Sequence, residues 1–289
     1  MIWYKSDKFV LFLLARTVGG LFEGNVSIAV TVIGQFESES LRKKGMALVG
    51  VAYSLAFVLG PLLGVYLTNF SGSVNFYEFP AIFTMGCAVA SFLVIYVFYH
   101  PNNEIKAEKQ VDQKQTSILF MSYFVYLLTF SGIEFSVGFL LLEKWSKTRM
   151  VQGKIYATMG VIMAIMQGGV VRKRASCKLL LVGLVGLGVA FYLLSADSWS
   201  LVYIGIILKA VFASCMVPSF NVVAANLGIN IGRVRAVGAM ARAIGPVLFC
   251  GLYWSFGAKI CFRIGAVALV LTVGLINKLK LEDGGKKEL

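Results

Sequence analysis

The chain has 289 residues, 58% of them hydrophobic and only 14% charged, with a mean hydropathy of +0.80. A soluble domain carries about a quarter charged residues, so this balance excludes an ordinary water-soluble fold. The net charge of +13 does not point to nucleic acid, because the cations sit in short segments between apolar runs and no basic-aromatic face or arginine-rich tail accompanies them.

Apolar runs of about 20 residues, enough to cross a hydrocarbon core, recur along almost the whole length. An isolated strand cannot satisfy its backbone in lipid, so the expectation is an all-α, polytopic helical bundle. Nine spans are predicted, at 9–33, 46–69, 79–99, 117–141, 152–171, 178–195, 200–226, 234–256 and 260–277.

The first span contains Arg16, Gly20 and Gly24, a four-residue spacing that puts all three on one helix face. Glu23 lies seven residues from Arg16 and points nearly the same way. Either Arg16 meets an anionic substrate or helps proton coupling with Glu23 as counter-charge, or the two neutralise each other for structural reasons. Lys5 and Lys8 before the apolar run from Phe9 to Ala15 have the outline of a leader peptide. Arg16 cuts that run short and no small-x-small cleavage site follows, so a span is expected there instead.

A short basic loop, Arg42-Lys43-Lys44, leads into the second span, which carries Gly60, Pro61 and Gly64. Proline removes a backbone hydrogen bond in mid-helix, leaving either a hinge or a static bend. The longest polar connection, residues 101–116, holds Pro101, two asparagines and mixed Glu and Lys. It divides a three-helix part, 1–100, from a six-helix part, 117–278, with a tail at 279–289.

Glu134 in the fourth span, beside Ser131 and Gly132, is an acid embedded in apolar surroundings, the residue type a proton-coupling site uses. Lys209 in the seventh span is its natural partner. The competing role for the two is helix packing. Gln167-Gly168-Gly169 ahead of Arg172-Lys173-Arg174 reads best as a topology anchor. Gly245 and Pro246 in the eighth span, with Gly251 and Tyr253, repeat the order of Gly60, Pro61, Gly64 and Tyr66. Such repeats occur in transporters.

Loop charge sets orientation. Sixteen Lys or Arg fall on one side, at 42–44, 106–114, 172–178, 233–235 and in the tail; eight fall on the other. The richer side is expected to be cytoplasmic, with the C-terminus on it and the N-terminus opposite. Basic residues at 144–154 run against that bias. The five cysteines show no C-x-x-C spacing, His100 is the single histidine, and no phosphate-binding loop is present. No metal, no cofactor and no ATP-driven step is therefore expected. Trp145, Trp199 and Trp254 at span ends read as an interfacial belt.

Four stretches carry a family resemblance: Ala15 to Ser27 with Arg16, Gly20 and Gly24; Gly45 to Gly64; Tyr123 to Glu134; and Ala239 to Pro246. At these residues the chain resembles the major facilitator superfamily, and within it the tetracycline-transporter-like members of the drug:proton antiporter group. That family has twelve helices, so the resemblance implies that the nine spans correspond to its fourth to twelfth. It also implies that Arg16, Glu134 and Lys209 lie on helices lining a central cavity.

The expected function is a secondary active transporter of organic anions or drug-like amphiphiles, proton-coupled and working by alternating access. Its partners would be a small-molecule substrate, protons and the lipid bilayer. The alternative is a membrane scaffold that does not transport. An enzyme is not expected, because no nucleophile–base pair or metal cluster is visible.

Overall fold

The computed structural model describes residues 9–21, 25–34, 39–70, 78–98, 112–171 and 176–279. Among them no strand occurs. The helices are α1 (Phe9–Leu21), α2 (Asn25–Gly34), α3 (Glu39–Phe70), α4 (Glu78–Phe98), α5 (Gln113–Glu143), α6 (Arg149–Met166), α7 (Cys177–Leu194), α8 (Trp199–Asn226) and α9 (Ile231–Ile276). A π-helical turn, Gln167–Val171, extends α6.

Six helices among the described residues are long and apolar enough to cross a membrane. They account for seven of the nine expected spans, since α9 runs through the last two. Inside α9, Gly257 has φ 82 and ψ 164, a conformation essentially confined to glycine. The thiol of Cys261 lies 3.4 Å from the carbonyl of Phe249. Twelve residues of straight helix would separate them by about 18 Å, so the chain reverses at Gly257.

Two boundaries differ from expectation. Arg42 to Lys44 form no loop; they lie within α3, which begins at Glu39 and carries its polar first turns beyond the apolar run. The helix α5 begins at Gln113, inside the expected connection, because the Asp112 carboxylate accepts from the Lys114 amide at 2.9 Å and caps the first turn. Thr148, Ser176 and Asn230 cap α6, α7 and α9 in the same way.

The core is built from α5, α7, α8 and α9. Within lipid no hydrophobic force drives helices together, so close packing of small residues must. A Cβ on Gly245 would run into the Ser131 hydroxyl and the Leu128 carbonyl, and one on Gly238 would strike Tyr123 and Leu127. Glycine at these positions brings α9 down onto α5.

One end of this unit is tied by charge. Asp197, between α7 and α8, pairs with Lys144 at the end of α5 (2.9 Å) and with Lys259 in the second arm of α9 (2.6 Å). Trp145 and Trp199 pack at 5.3 Å, with the Lys147 ammonium 4.3 Å from the Trp199 ring. The basic segment that runs against the loop bias is thus partly engaged by an acid and by aromatic faces. Hydrogen bonds from Lys259 and then Lys144 hold the Asp197 carboxyl down at about 2.

Two outcomes follow. Gly245→Ala and Gly251→Ala share any gain in helix propensity, but only the first meets resistance, since nothing lies within 4 Å of a Cβ on Gly251. Thermal unfolding in detergent should place Gly245→Ala below Gly251→Ala by about 1–3 kcal/mol. The Asp197 contribution is complete above its ordinary pKa of 3.8 and disappears as pH falls through about 2. Proteolysis at this end should therefore distinguish Asp197→Asn from the parent chain at neutral pH, with the difference closing below pH 4.

Candidate functional site

Glu134 sits on α5 and Lys209 on α8, and the structure brings them together as an ion pair between the Lys209 ammonium and the Glu134 Oε2. The lysine side chain is 1% exposed and the glutamate 21%. Among the described residues no further hydrogen-bond partner reaches either atom. The ammonium also lies 5.5 Å from the Phe130 ring. Phe130 is one turn before Glu134, and Tyr126 one turn before that, so the three share a face. The Tyr126 ring stands 5.8 Å from Phe130 and stacks on Phe220 of α8 at 5.6 Å. One turn further along α5, the Tyr156 hydroxyl of α6 lies 3.8 Å from where a Cβ on Gly138 would stand.

Two full charges in an apolar interior lose several kcal/mol of hydration each, and mutual attraction offsets this only while both are present. The pair is therefore poised: whatever neutralises one partner releases the other. An incoming proton on Glu134 or an anion beside Lys209 would each do so.

Above this pair, α6 and α8 are coupled by a missing hydrogen bond. Pro218 has no N–H to offer the Ser214 carbonyl four residues earlier. The Gln167 side-chain amide donates to that carbonyl instead, at 3.4 Å. Gln167 opens the π-helical turn, a distortion frequent at functional sites. A Cβ on Gly50 of α3 would stand 2.7 Å from the Gln167 Oε1. The backbone of α3 thus reaches α6 at the end nearest its own basic turn, where Val30 and Met46 are buried. Further along α3, a Cβ on Gly60 or Gly64 would meet nothing within 4 Å among the described residues, and Leu59 and Tyr66 are exposed.

The other anticipated residues are placed as follows. Glu23 and Gly24 lie outside the described residues, and Arg16 is described only as backbone within α1. Gly20 is exposed, and among the described residues nothing lies within 4 Å of a Cβ built on it. Gly60, Pro61 and Gly64 belong to α3, which passes through them as one helix. Gly245 and Pro246 belong to the first arm of α9.

Sequence reasoning passed over Arg242 and the side chain of Gln167. A signal for Arg242 existed. Of 27 Lys and Arg, all but three belong to connections, tails or the first few residues of a span; the three are Arg16, Lys209 and Arg242.

A helical membrane bundle with an ion pair enclosed between two spans has the build of a transporter. The Major Facilitator Superfamily model matches residues 1–248, and the chain belongs to that family. It is a multi-pass integral membrane protein. It is similar to Major facilitator superfamily domain-containing protein 10 from Bos taurus, 28% identical over 96% of this chain and 69% of that protein. The Mus musculus protein of the same name is 29% identical over 99% of this chain and 71% of its own length. Among solved structures, the crystal structure of the human organic anion transporter MFSD10 (TETRAN) superposes with a TM-score of 0.82. It is 28% identical and covers 95% of this chain and 73% of that one.

The exposure difference within the pair gives a test. Glu134→Gln strands a buried ammonium and should lower stability by about 3–5 kcal/mol in detergent unfolding. Lys209→Met leaves a carboxylate with some access to solvent and should be milder. The double variant should recover most of the loss. Equal unfolding temperatures for Glu134→Gln and the parent would dismiss the pair as a structural element.

Proposed function

We propose that the chain is a secondary active transporter of organic anions, exchanging substrate for protons by alternating access. The observation that carries this is the enclosed Glu134–Lys209 pair joining α5 to α8 within apolar spans. A proton on Glu134 frees the Lys209 charge for an anion, and loss of that proton restores the pair and expels the anion. One site thus couples the two ligands through competition for a single ammonium. The human relative MFSD10 is an organic anion transporter, and that supports the substrate class.

Under this reading Arg16 is a second cationic contact, with Glu23 as its counter-charge, on sequence position alone. Residues 1–100 and 117–278 act as two moving parts joined by 101–116, with the C-terminal tail in the cytoplasm. The contact of Gly50 with Gln167, beside the basic segments, supports a state closed at the cytoplasmic end. Gly60, Pro61, Gly64, Gly245 and Pro246 would let the helices bend as the other end opens.

A second reading, a membrane scaffold without transport, is favoured by one observation. No part of the apolar stretch of α4 is buried in the structure, and Phe92 and Tyr96 stand out at 67% and 78% exposure.

The experiment is flux of 6-carboxyfluorescein into proteoliposomes holding the full chain, with and without an imposed pH gradient. Uptake should rise with the gradient in the parent and in Glu134→Asp, and lose that dependence in Glu134→Gln. Gradient-driven uptake that survives in Glu134→Gln would remove the proton role from this residue. Absence of any flux would favour the scaffold.

A further inference from the structure

We infer that Arg242 is the first contact for the anion, placed where substrate enters from water before it reaches Lys209. The inference rests on the transport reading above and deepens it by naming the residue that recognises the negative charge. Lys209 cannot serve this purpose, since its side chain is 1% exposed and already paired.

Arg242 lies near the middle of the first arm of α9, 231–256, inside an apolar run. It is exposed, and among the described residues no hydrogen bond, ion pair or ring contact engages its side chain. Its position on the helix argues against a lipid-facing role. Met240 and Val247, 62% and 77% exposed, share one face. At about 100° per residue Arg242 points some 140–160° away from both. It lies instead within about 60° of Gly238 and Gly245, the two residues that settle on α5. Those glycines abut α5 at residues 123–132, which sets Arg242 level with Tyr126. Tyr126 lies within electrostatic reach of the guanidinium. From Tyr126 the ring contacts lead through Phe130 to the ammonium of Lys209.

The backbone at the same residue points the same way. Pro246 has no N–H to give the Arg242 carbonyl four residues earlier. An unpaired charge and a carbonyl deprived of its helical donor, at one position in mid-span, are tolerated where they line a water-filled cavity. The ligand class follows from the chemistry. Guanidinium offers a planar fork to carboxylate or sulfonate, and the aromatic run from Tyr126 to Phe130 offers an apolar track for the organic body.

The test uses the full chain in proteoliposomes and has two parts. Arg242→Cys should react with a membrane-impermeant anionic methanethiosulfonate above the background of the five native cysteines, and 6-carboxyfluorescein should protect it. Reaction only with a lipid-soluble maleimide, or no protection, would overturn the inference whatever the flux. Arg242→Gln should raise the apparent KM for 6-carboxyfluorescein about tenfold or more, while cationic rhodamine 123 is unaffected or favoured; Arg242→Lys should keep most of the anion preference. An unchanged KM and unchanged dye preference in Arg242→Gln would overturn it while leaving the transport reading in place. A parent chain that moves neither dye but shows protected labelling would count against transport and for the anion contact.

Discussion

A lysine with almost no solvent contact is the most demanding group in this molecule. Hydrocarbon offers Lys209 nothing, and among the described residues Glu134 and the face of Phe130 compensate for its lost hydration. That requirement constrains everything around it. The two helices must stay in register, the aromatic stack from Tyr126 must keep its place, and α6 and α9 must close the sides. A neutral, packed interface would hold two helices as firmly. What the ion pair adds is responsiveness: its energy changes when a proton or an anion arrives, and that of a leucine pair does not.

The same accounting of polar groups explains the irregular parts of the helices. Pro218 leaves the Ser214 carbonyl without its helical donor, and Gln167 supplies one from α6. The Gln167 side chain comes from a π-helical turn. Gly50 makes room for that side chain from α3. One absent N–H therefore connects three helices, two of which belong to different parts of the expected transporter. Pro246 leaves the Arg242 carbonyl in the same position, with no side chain taking over the role.

The ends of the bundle obey different physics from its middle. Asp197 is 67% exposed and bonds two lysines in a high-dielectric setting, where ion pairs are weak and salt-sensitive. Such a tie can open at little expense. The buried pair cannot. The exposed tie exchanges with water, whereas the buried pair opens only when a proton or an anion takes the place of one partner.

How much was legible in advance differs by element. Length and apolarity alone determined that the chain is an all-α membrane bundle, because unbroken apolar runs of about 20 residues suit a helix, whereas a barrel strand crosses in about 10 residues of alternating character. The seven spans from α4 onward were readable for the same reason, as was the break near Gly257 between the last two. Glu134 and Lys209 were recognisable as costly residues, since an embedded charge stands out in any apolar run. Helix starts were less legible: Arg42 to Lys44 look like a loop by composition, yet a helix can extend past the membrane with its polar turns in water. Only the tertiary structure decided that the α8 lysine meets the α5 glutamate, that Gln167 serves a proline on another helix, and that Gly238 and Gly245, on either side of Arg242, settle on α5. Those facts depend on which helices adjoin and on their rotation about their axes. Hydrophobic periodicity in a span buried or lipid-covered on every side carries little record of rotation.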